Sequence, residues 1–295
     1  MSEEISKIEK KRIGILGCGW LGFPLAQRLQ LDPITSFVNG STTSESKIAQ
    51  FENAGIKPFL LDLTPGFETD SESLQSFFDV DSLLISLPPR AGKNGAGFYP
   101  LQMQAVVEEI QKSSIKEVIF ISSTGIYPEL NRLVTEEDVR FPNESALPDM
   151  VTAENLIESL RPERKVTILR LSGLLGYNRI PGKYVQGQKE MTTGSIPVNY
   201  IHRDDAVNMI LMLLKSDLQD TTLNIVAPLH PTRREVYERS CAQFGWEAPT
   251  FAINSSEPDF KVISGEKFNA HYSYDFKFPD PLTFYYSLND EIRRE

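Results

Sequence analysis

Gly17, Gly19 and Gly22 stand in the spacing G-x-G-x-x-G within the stretch Arg12-Ile13-Gly14-Ile15-Leu16-Gly17-Cys18-Gly19-Trp20-Leu21-Gly22. Glycines so spaced suit the binding of a pyrophosphate when they lie between a strand and a helix. The first makes the tight turn, the second lets the main chain approach the anion, and the third lets the helix pack closely on the strand. Free N–H groups at the helix N-terminus then face the negative charge. That context is present. The apolar run ending at Leu16 suits a buried strand, and Phe23-Pro24-Leu25-Ala26-Gln27-Arg28-Leu29 has helical apolar spacing. Pro24 falls near the helix start, where a missing N–H costs nothing. Gly17, Cys18, Gly19, Trp20, Leu21 and Gly22 therefore form a candidate dinucleotide site.

The elements that must position this turn follow in order. Ile34 to Val38 reads as a second strand, Asn39 to Ser44 as its terminal loop, and Glu45 to Asn53 as a helix. Lys57 to Leu61 is a third strand that ends at Asp62-Leu63, and Ser71 to Phe78 has helical spacing. Ser82 to Leu87 is a fourth strand, followed by Pro88-Pro89-Arg90 and a glycine-rich loop to Phe98. Tyr99 to Ser113 is a helix and Glu117 to Ile121 a fifth strand, ending in Ser122-Ser123-Thr124-Gly125-Ile126-Tyr127. Leu130 to Pro148 reads as a long loop, Asp149 to Arg161 as a helix and Val166 to Leu171 as a sixth strand. After a glycine-broken stretch, Asp204 to Lys215 is a helix, Thr222 to Val226 a strand and Thr232 to Phe244 a helix. Apolar runs alternating with amphipathic helices predict an α/β fold of Rossmann type, a doubly wound parallel sheet.

Composition narrows the class of partner. Thirty basic against forty acidic residues give a formal charge of -10, which argues against nucleic acid and anionic membrane. Two cysteines, Cys18 and Cys241, make no disulfide framework, so a reducing cytoplasm fits. No apolar run has the length of a membrane span, and no signal-peptide pattern is present. The three histidines, His202, His230 and His271, lack partners at ligand spacing, so no metal site is expected.

The end of the second strand bears on the choice of cofactor. An acidic residue there would bind the ribose 2′-hydroxyl of NAD, and its absence leaves room for a 2′-phosphate. The first carboxylate is Glu45, while Ser41, Thr42 and Lys47 offer hydroxyls and a cation. NADP is expected, with NAD as the alternative.

With these segments placed, the chain resembles the extended short-chain dehydrogenase/reductase family, the NAD-dependent epimerase/dehydratase group. The carriers are the glycine turn, Asp62-Leu63, the run from Ser122 to Tyr127, Arg170-Leu171-Ser172-Gly173-Leu174-Leu175-Gly176-Tyr177, and Asn199-Tyr200-Ile201-His202-Arg203-Asp204-Asp205-Ala206. The resemblance implies that Gly17, Gly19 and Gly22 hold the pyrophosphate and Asp62 the adenine amino group. Leu87 and Pro88 would wall the nicotinamide, Ser122 would lie beside it, and Ser123 falls at the catalytic Ser/Thr position. It also implies a smaller C-terminal lobe for a nucleotide sugar, over 172–200 and 227–295, beside a Rossmann domain over 1–171 that is re-entered at about 201–226. In that lobe Arg179 and Lys183 are candidate substrate-binding cations, with Lys189 a third. His202 is read as structural, Asp204 as a helix cap and Arg203 as a partner for a carboxylate. The family often dimerises through helices equivalent to 99–113 and 149–161, so a homodimer is expected.

Two departures separate this chain from the family pattern. The usual fingerprint is G-x-x-G-x-x-G, whose first glycine would fall at Leu16, so the chain resembles the atypical branch. More important, none of the ten tyrosines is followed by lysine at the family's Tyr-x-x-x-Lys spacing. Aligned on Glu154, the tyrosine position is Ala146 and the lysine position Met150. Tyr127 is the nearest replacement acid in the sequence. The expected function is redox or epimerisation chemistry on a nucleotide-sugar-like or small polar substrate, with Ser123 polarising the reacting oxygen. The alternative is a non-catalytic NADP(H)-binding sensor or scaffold.

Overall fold

The computed structural model describes residues 10–89, 95–253 and 258–289. Arg90 and part of the glycine-rich loop expected after it lie outside the described residues. Seven strands form the central parallel sheet: β1 (Lys11–Leu16), β2 (Thr35–Thr42), β3 (Lys57–Leu60), β4 (Ser82–Ile85), β5 (Glu117–Ser123), β7 (Lys165–Leu171) and β10 (Thr221–Ile225), with β6 (Arg132–Val134), β8 (Gly173–Leu175) and β9 (Tyr200–His202) lying outside the sheet. Their order is β10-β7-β5-β4-β1-β2-β3. The strand order therefore reverses at β1, which pairs with both β2 and β4. In open α/β sheets ligands bind beyond the carboxyl ends of the strands at such a switch point, and the glycine turn leaves the carboxyl end of β1.

The inner strands are buried because they are apolar on both faces. All four residues of β4 are buried, as expected for a parallel strand with both faces covered. The helix α1 (Gly22–Leu31) buries Gly22, Leu25, Ala26 and Leu29, an i, i+3, i+4, i+7 stripe. Helix α2 is Ile48–Asn53, and α3 (Ser71–Phe78) begins where Asp70 accepts the N–H of Ser73 at 2.8 Å. The helices α4 (Phe98–Lys112) and α5 (Pro148–Glu158) correspond to the two expected around 99–113 and 149–161.

One boundary is corrected. The segment expected as a loop from Asn39 is strand as far as Thr42, with Gly14 opposite Asn39, Ile15 opposite Gly40, and Ser41 opposite Phe59. Two of the polar side chains of this strand are paired with other segments: the Ser41 hydroxyl accepts the Gly17 N–H, and the Asn39 amide donates to the carbonyls of Ser76 and Phe77, both at 3.1 Å, at the end of α3.

The chain divides into two compact units. The first comprises 1–122, 149–168 and 210–221, and the second 123–148, 169–209 and 222–295. The second unit thus takes 123–148, which the sequence assigns to the Rossmann domain. Within it, the expected loop at 130–148 carries the strand β6 (Arg132–Val134), which pairs in parallel with β11 (Lys261–Ile263). The strand β8 (Gly173–Leu175) pairs in parallel with β9 (Tyr200–His202). Helices α6 (Pro181–Val185), α7 (Arg203–Lys215), α8 (Arg233–Phe244) and α9 (Glu266–His271) complete the described helices. No helix among the described residues is long and apolar enough to cross a membrane.

Candidate functional site

In the first unit, Gly17 has φ +87, and a Cβ there would come within 2.6 Å of the Ser86 carbonyl oxygen. A side chain is excluded twice, by backbone conformation and by space. A Cβ at Gly22 would lie 2.9 Å from the Ile15 side chain, so that glycine lets α1 pack on β1. Gly19 differs from both: its φ, unlike that of Gly17, is not positive, and its Cβ, unlike one at Gly17 or Gly22, would meet nothing within 4 Å. Nothing in the fold requires glycine there, and the space beside it is open. The N-terminus of α1 has no side-chain cap, so its first-turn donors are not closed by a side chain.

The turn is held from below. Ser41 is 3 % exposed; its hydroxyl accepts the N–H of Gly17 at 2.8 Å and its carbonyl accepts that of Cys18 at 3.0 Å. The sequence expects Ser41 as a contact to the cofactor's ribose phosphate; in the structure its hydroxyl oxygen is buried and accepts the Gly17 N–H of the turn. Thr42, at the end of β2, is half-buried and accepts the N–H of Ser44 at 3.1 Å, and Lys47 is exposed just beyond. Lys47 acts electrostatically on Cys18, whose buried thiol is pushed up to about 12 mainly by burial, so it remains a thiol. Trp20 is half-buried in the turn, and the Leu21 side chain points into the core.

The other residues expected around a cofactor lie on the same unit. Asp62 is exposed, and its Oδ1 accepts the Leu63 N–H at 2.8 Å and the Thr64 hydroxyl at 3.1 Å. Leu63 is buried, and its carbonyl accepts the Gln102 amide. Leu87 is half-buried and Pro88 exposed; the Leu87 carbonyl accepts the Tyr99 hydroxyl at 2.9 Å. Ser122, 4 % exposed, donates its hydroxyl to Glu154, itself 2 % exposed on α5. In the sequence Glu154 stands out only as the glutamate that follows the family's Tyr/Lys positions on this helix. Its contact with Ser122 joins residues 32 apart, and no local spacing signals it.

In the second unit, Ser123 is half-buried, and its Oγ accepts the Gly125 N–H at 3.0 Å. The Ser123 proton is left to donate. Tyr127 is different. It is 0 % exposed, donates to Asn224 Oδ1 at 2.7 Å and accepts from Arg170 at 2.9 Å, and burial pushes its phenol up to about 12. A phenol committed on both sides in the interior cannot serve as a replacement acid, and that expectation is corrected. Arg170 also donates to the carbonyls of Glu136 and Val139, and Glu136 accepts the Asn224 N–H at 2.7 Å. This buried network anchors the segment after β5, and the sequence alone does not indicate it.

Arg179 and Lys183 are both exposed. Lys183 sits on α6, and Arg179 lies in a turn where its N–H reaches the Gly176 carbonyl at 3.0 Å. Lys189 is drawn instead to Glu247 at 2.5 Å. His202 is fully buried: Nδ1 accepts the Asp204 N–H at 3.1 Å, so Nε2 carries the proton facing the Tyr285 carbonyl at 3.1 Å. Arg203 lies over the Tyr177 ring, 3.8 Å from its centroid. Asp204 is corrected as a cap. It lies inside the first turn of α7, where it accepts the Tyr177 hydroxyl at 2.9 Å. Its neighbour Asp205, passed over in the sequence, is fully buried and accepts from the Tyr274 hydroxyl and the N–H groups of Lys277 and Phe278.

The chain is similar to Protein YeeZ of Escherichia coli (strain K12), 33% identical over 272 residues that cover 92% of this chain and 98% of that one. Its fold is similar to that of the UDP-glucuronic acid 4-epimerase of Bacillus cereus, solved in complex with NAD (TM-score 0.72, 16% identity, 93% of this chain and 97% of that one). The UDP-Glc/GlcNAc 4-epimerase of Campylobacter jejuni is similar to the same degree (TM-score 0.73, 16% identity, 92% and 95%). No family model matches the chain.

Proposed function

The chain belongs to the family of Protein YeeZ and has the fold of the extended short-chain dehydrogenase/reductases, the NAD-dependent epimerase/dehydratase group, and on that premise we propose that it binds a nicotinamide dinucleotide at the glycine turn. The observation that carries this is Gly19, a glycine that neither conformation nor internal packing demands, beside open space at the uncapped start of α1. The residues present fit the group. Gly19 and Gly22 let a pyrophosphate approach the turn and the start of α1; Gly17, Cys18, Trp20 and Leu21 form the rest of the turn, in which the Gly17 and Cys18 N–H groups are held by Ser41 and that of Gly19 by the Gly17 carbonyl, and Asp62 has a carboxylate at the adenine side. Leu63, Leu87, Pro88 and Ser122 complete the wall. Thr42 and Lys47 favour NADP, since a 2′-phosphate there meets a hydroxyl and a cation.

When bound, the nicotinamide supplies a hydride acceptor or donor. The reading is an oxidoreductase or epimerase acting on a nucleotide-sugar-like or small polar substrate. Ser123 donates a hydrogen bond to the reacting oxygen, and Arg179 and Lys183 bind substrate phosphate. A homodimer through α4 and α5 is part of the same reading.

A second reading has its own observation. With Tyr127 committed to Asn224 and Arg170, and Met150 buried where the family places lysine, no phenol–lysine pair stands at the family position. That favours a non-catalytic NADP(H)-binding sensor or scaffold.

Calorimetric titration with NADPH, NADH and their oxidised forms tests the shared premise, with Gly19→Val as control. Micromolar binding that favours the 2′-phosphate and is lost in the variant is expected. Absence of binding by every form overturns both readings, and hydride exchange by the bound cofactor with a screened substrate excludes the sensor.

A further inference from the structure

Within the first unit, a buried carboxylate stands behind the residues assigned to the nicotinamide side. Glu154 accepts the Ser122 hydroxyl and is 2 % exposed. It also acts electrostatically on Tyr99, a fully buried phenol whose proton is held on chiefly by burial and further by this carboxylate. Tyr99 in turn donates to the Leu87 carbonyl at 2.9 Å. Ser122 is thus bonded to Glu154 directly, and Leu87 is bonded to Tyr99, the phenol on which that carboxylate acts.

The same helix carries the departure from the family pattern. Met150, one turn before Glu154 on α5 and 4 % exposed, occupies the lysine position, so an apolar side chain stands where the resemblance implies a cation. A nicotinamide ring is cationic when oxidised and neutral when reduced. A carboxylate in a low-dielectric interior attracts the first form and is nearly indifferent to the second. The usual lysine would offset that attraction, and methionine leaves it in place.

We propose that Glu154, held on Ser122 and accompanied by Met150 in place of a cation, is a specificity-determining residue that makes this site favour the oxidised cofactor over the reduced one. The proposal rests on the cofactor reading above. Its chemical content is a preference between two redox states of one ligand, a property suited to a protein that takes up hydride or reports the oxidised pool.

The test is equilibrium titration of the full chain with NADP+ and with NADPH, comparing wild type with two variants. Glu154→Gln keeps an acceptor oxygen for Ser122 and removes the charge. Met150→Lys adds a cation on the same helix face and leaves Glu154 in place. In each, the affinity ratio of oxidised to reduced cofactor is expected to fall by about fivefold. A purely structural role for Glu154 would weaken both forms alike and leave the ratio where it was, and that result overturns the proposal. If Glu154→Gln no longer unfolds cooperatively, Met150→Lys decides alone. Wild-type protein that binds neither form sinks the cofactor reading itself; wild-type protein that binds both, with an unmoved ratio in the variants, sinks this proposal only.

Discussion

Ser41 holds Gly17 in place: the serine hydroxyl accepts the glycine N–H at 2.8 Å, and the serine carbonyl takes the next N–H, that of Cys18, at 3.0 Å. One residue near the end of β2 therefore supports two consecutive donors of the glycine turn. Ser41→Ala leaves the Gly17 N–H without its acceptor and should cost about 1–2 kcal/mol in urea unfolding, with weaker NADPH binding. An unchanged unfolding midpoint would show that the contact is not made in solution.

Gly17 and Gly19 should respond oppositely to the same substitution. Gly17→Ala forces a Cβ to 2.6 Å from the Ser86 carbonyl at φ +87 and is expected to lower stability by more than about 2 kcal/mol. Gly19→Ala faces open space and should leave the melting temperature nearly unchanged while weakening cofactor binding. Equal destabilisation by the two would contradict the geometry of the turn.

Tyr127 is predicted to matter for folding and not for proton transfer. Tyr127→Phe removes the donor to Asn224 and the acceptor of an Arg170 N–H, both buried, and should cost about 1–3 kcal/mol. NADPH affinity should stay at the wild-type value. A variant of full stability with impaired hydride exchange would restore Tyr127 as an acid.

Acid should weaken the fold through His202. Burial lowers this imidazole to about 4, against an ordinary value of 6.5, and its Nδ1 lone pair is held by the Asp204 N–H. The unfolded chain therefore takes up a proton in a pH range where the native protein does not. The associated stability is whole above about pH 6.5 and is lost at up to about 1.4 kcal/mol per pH unit as pH falls toward 4. His230, also lowered by burial, adds in the same direction. Unfolding free energies measured from pH 7 to pH 4.5 should show this slope, and His202→Gln should reduce it; an identical slope in the variant would exclude His202 as its source.

Much of the fold is legible in the sequence because its signals are local. A strand, a glycine turn and a helix in succession specify the start of the sheet, and alternating apolar runs and helices specify a parallel sheet with covered faces. The missing Tyr-x-x-x-Lys pair is equally plain, since it depends only on which residues stand at a spacing. What the side chains around the site do could not be read this way. Ser41 and Tyr127 carry groups that suit a ligand or a proton, but hydrogen bonds to Gly17 and to Asn224 and Arg170 commit them to the interior. Those partners lie 24, 97 and 43 residues away. The same holds for Glu154, whose meeting with Ser122 depends on how α5 packs beside β5. Residue types and local spacing determined which chemistry the chain has available; only tertiary packing, by choosing long-range partners and excluding water, decided which of those groups are spent on the fold and which are left for a ligand.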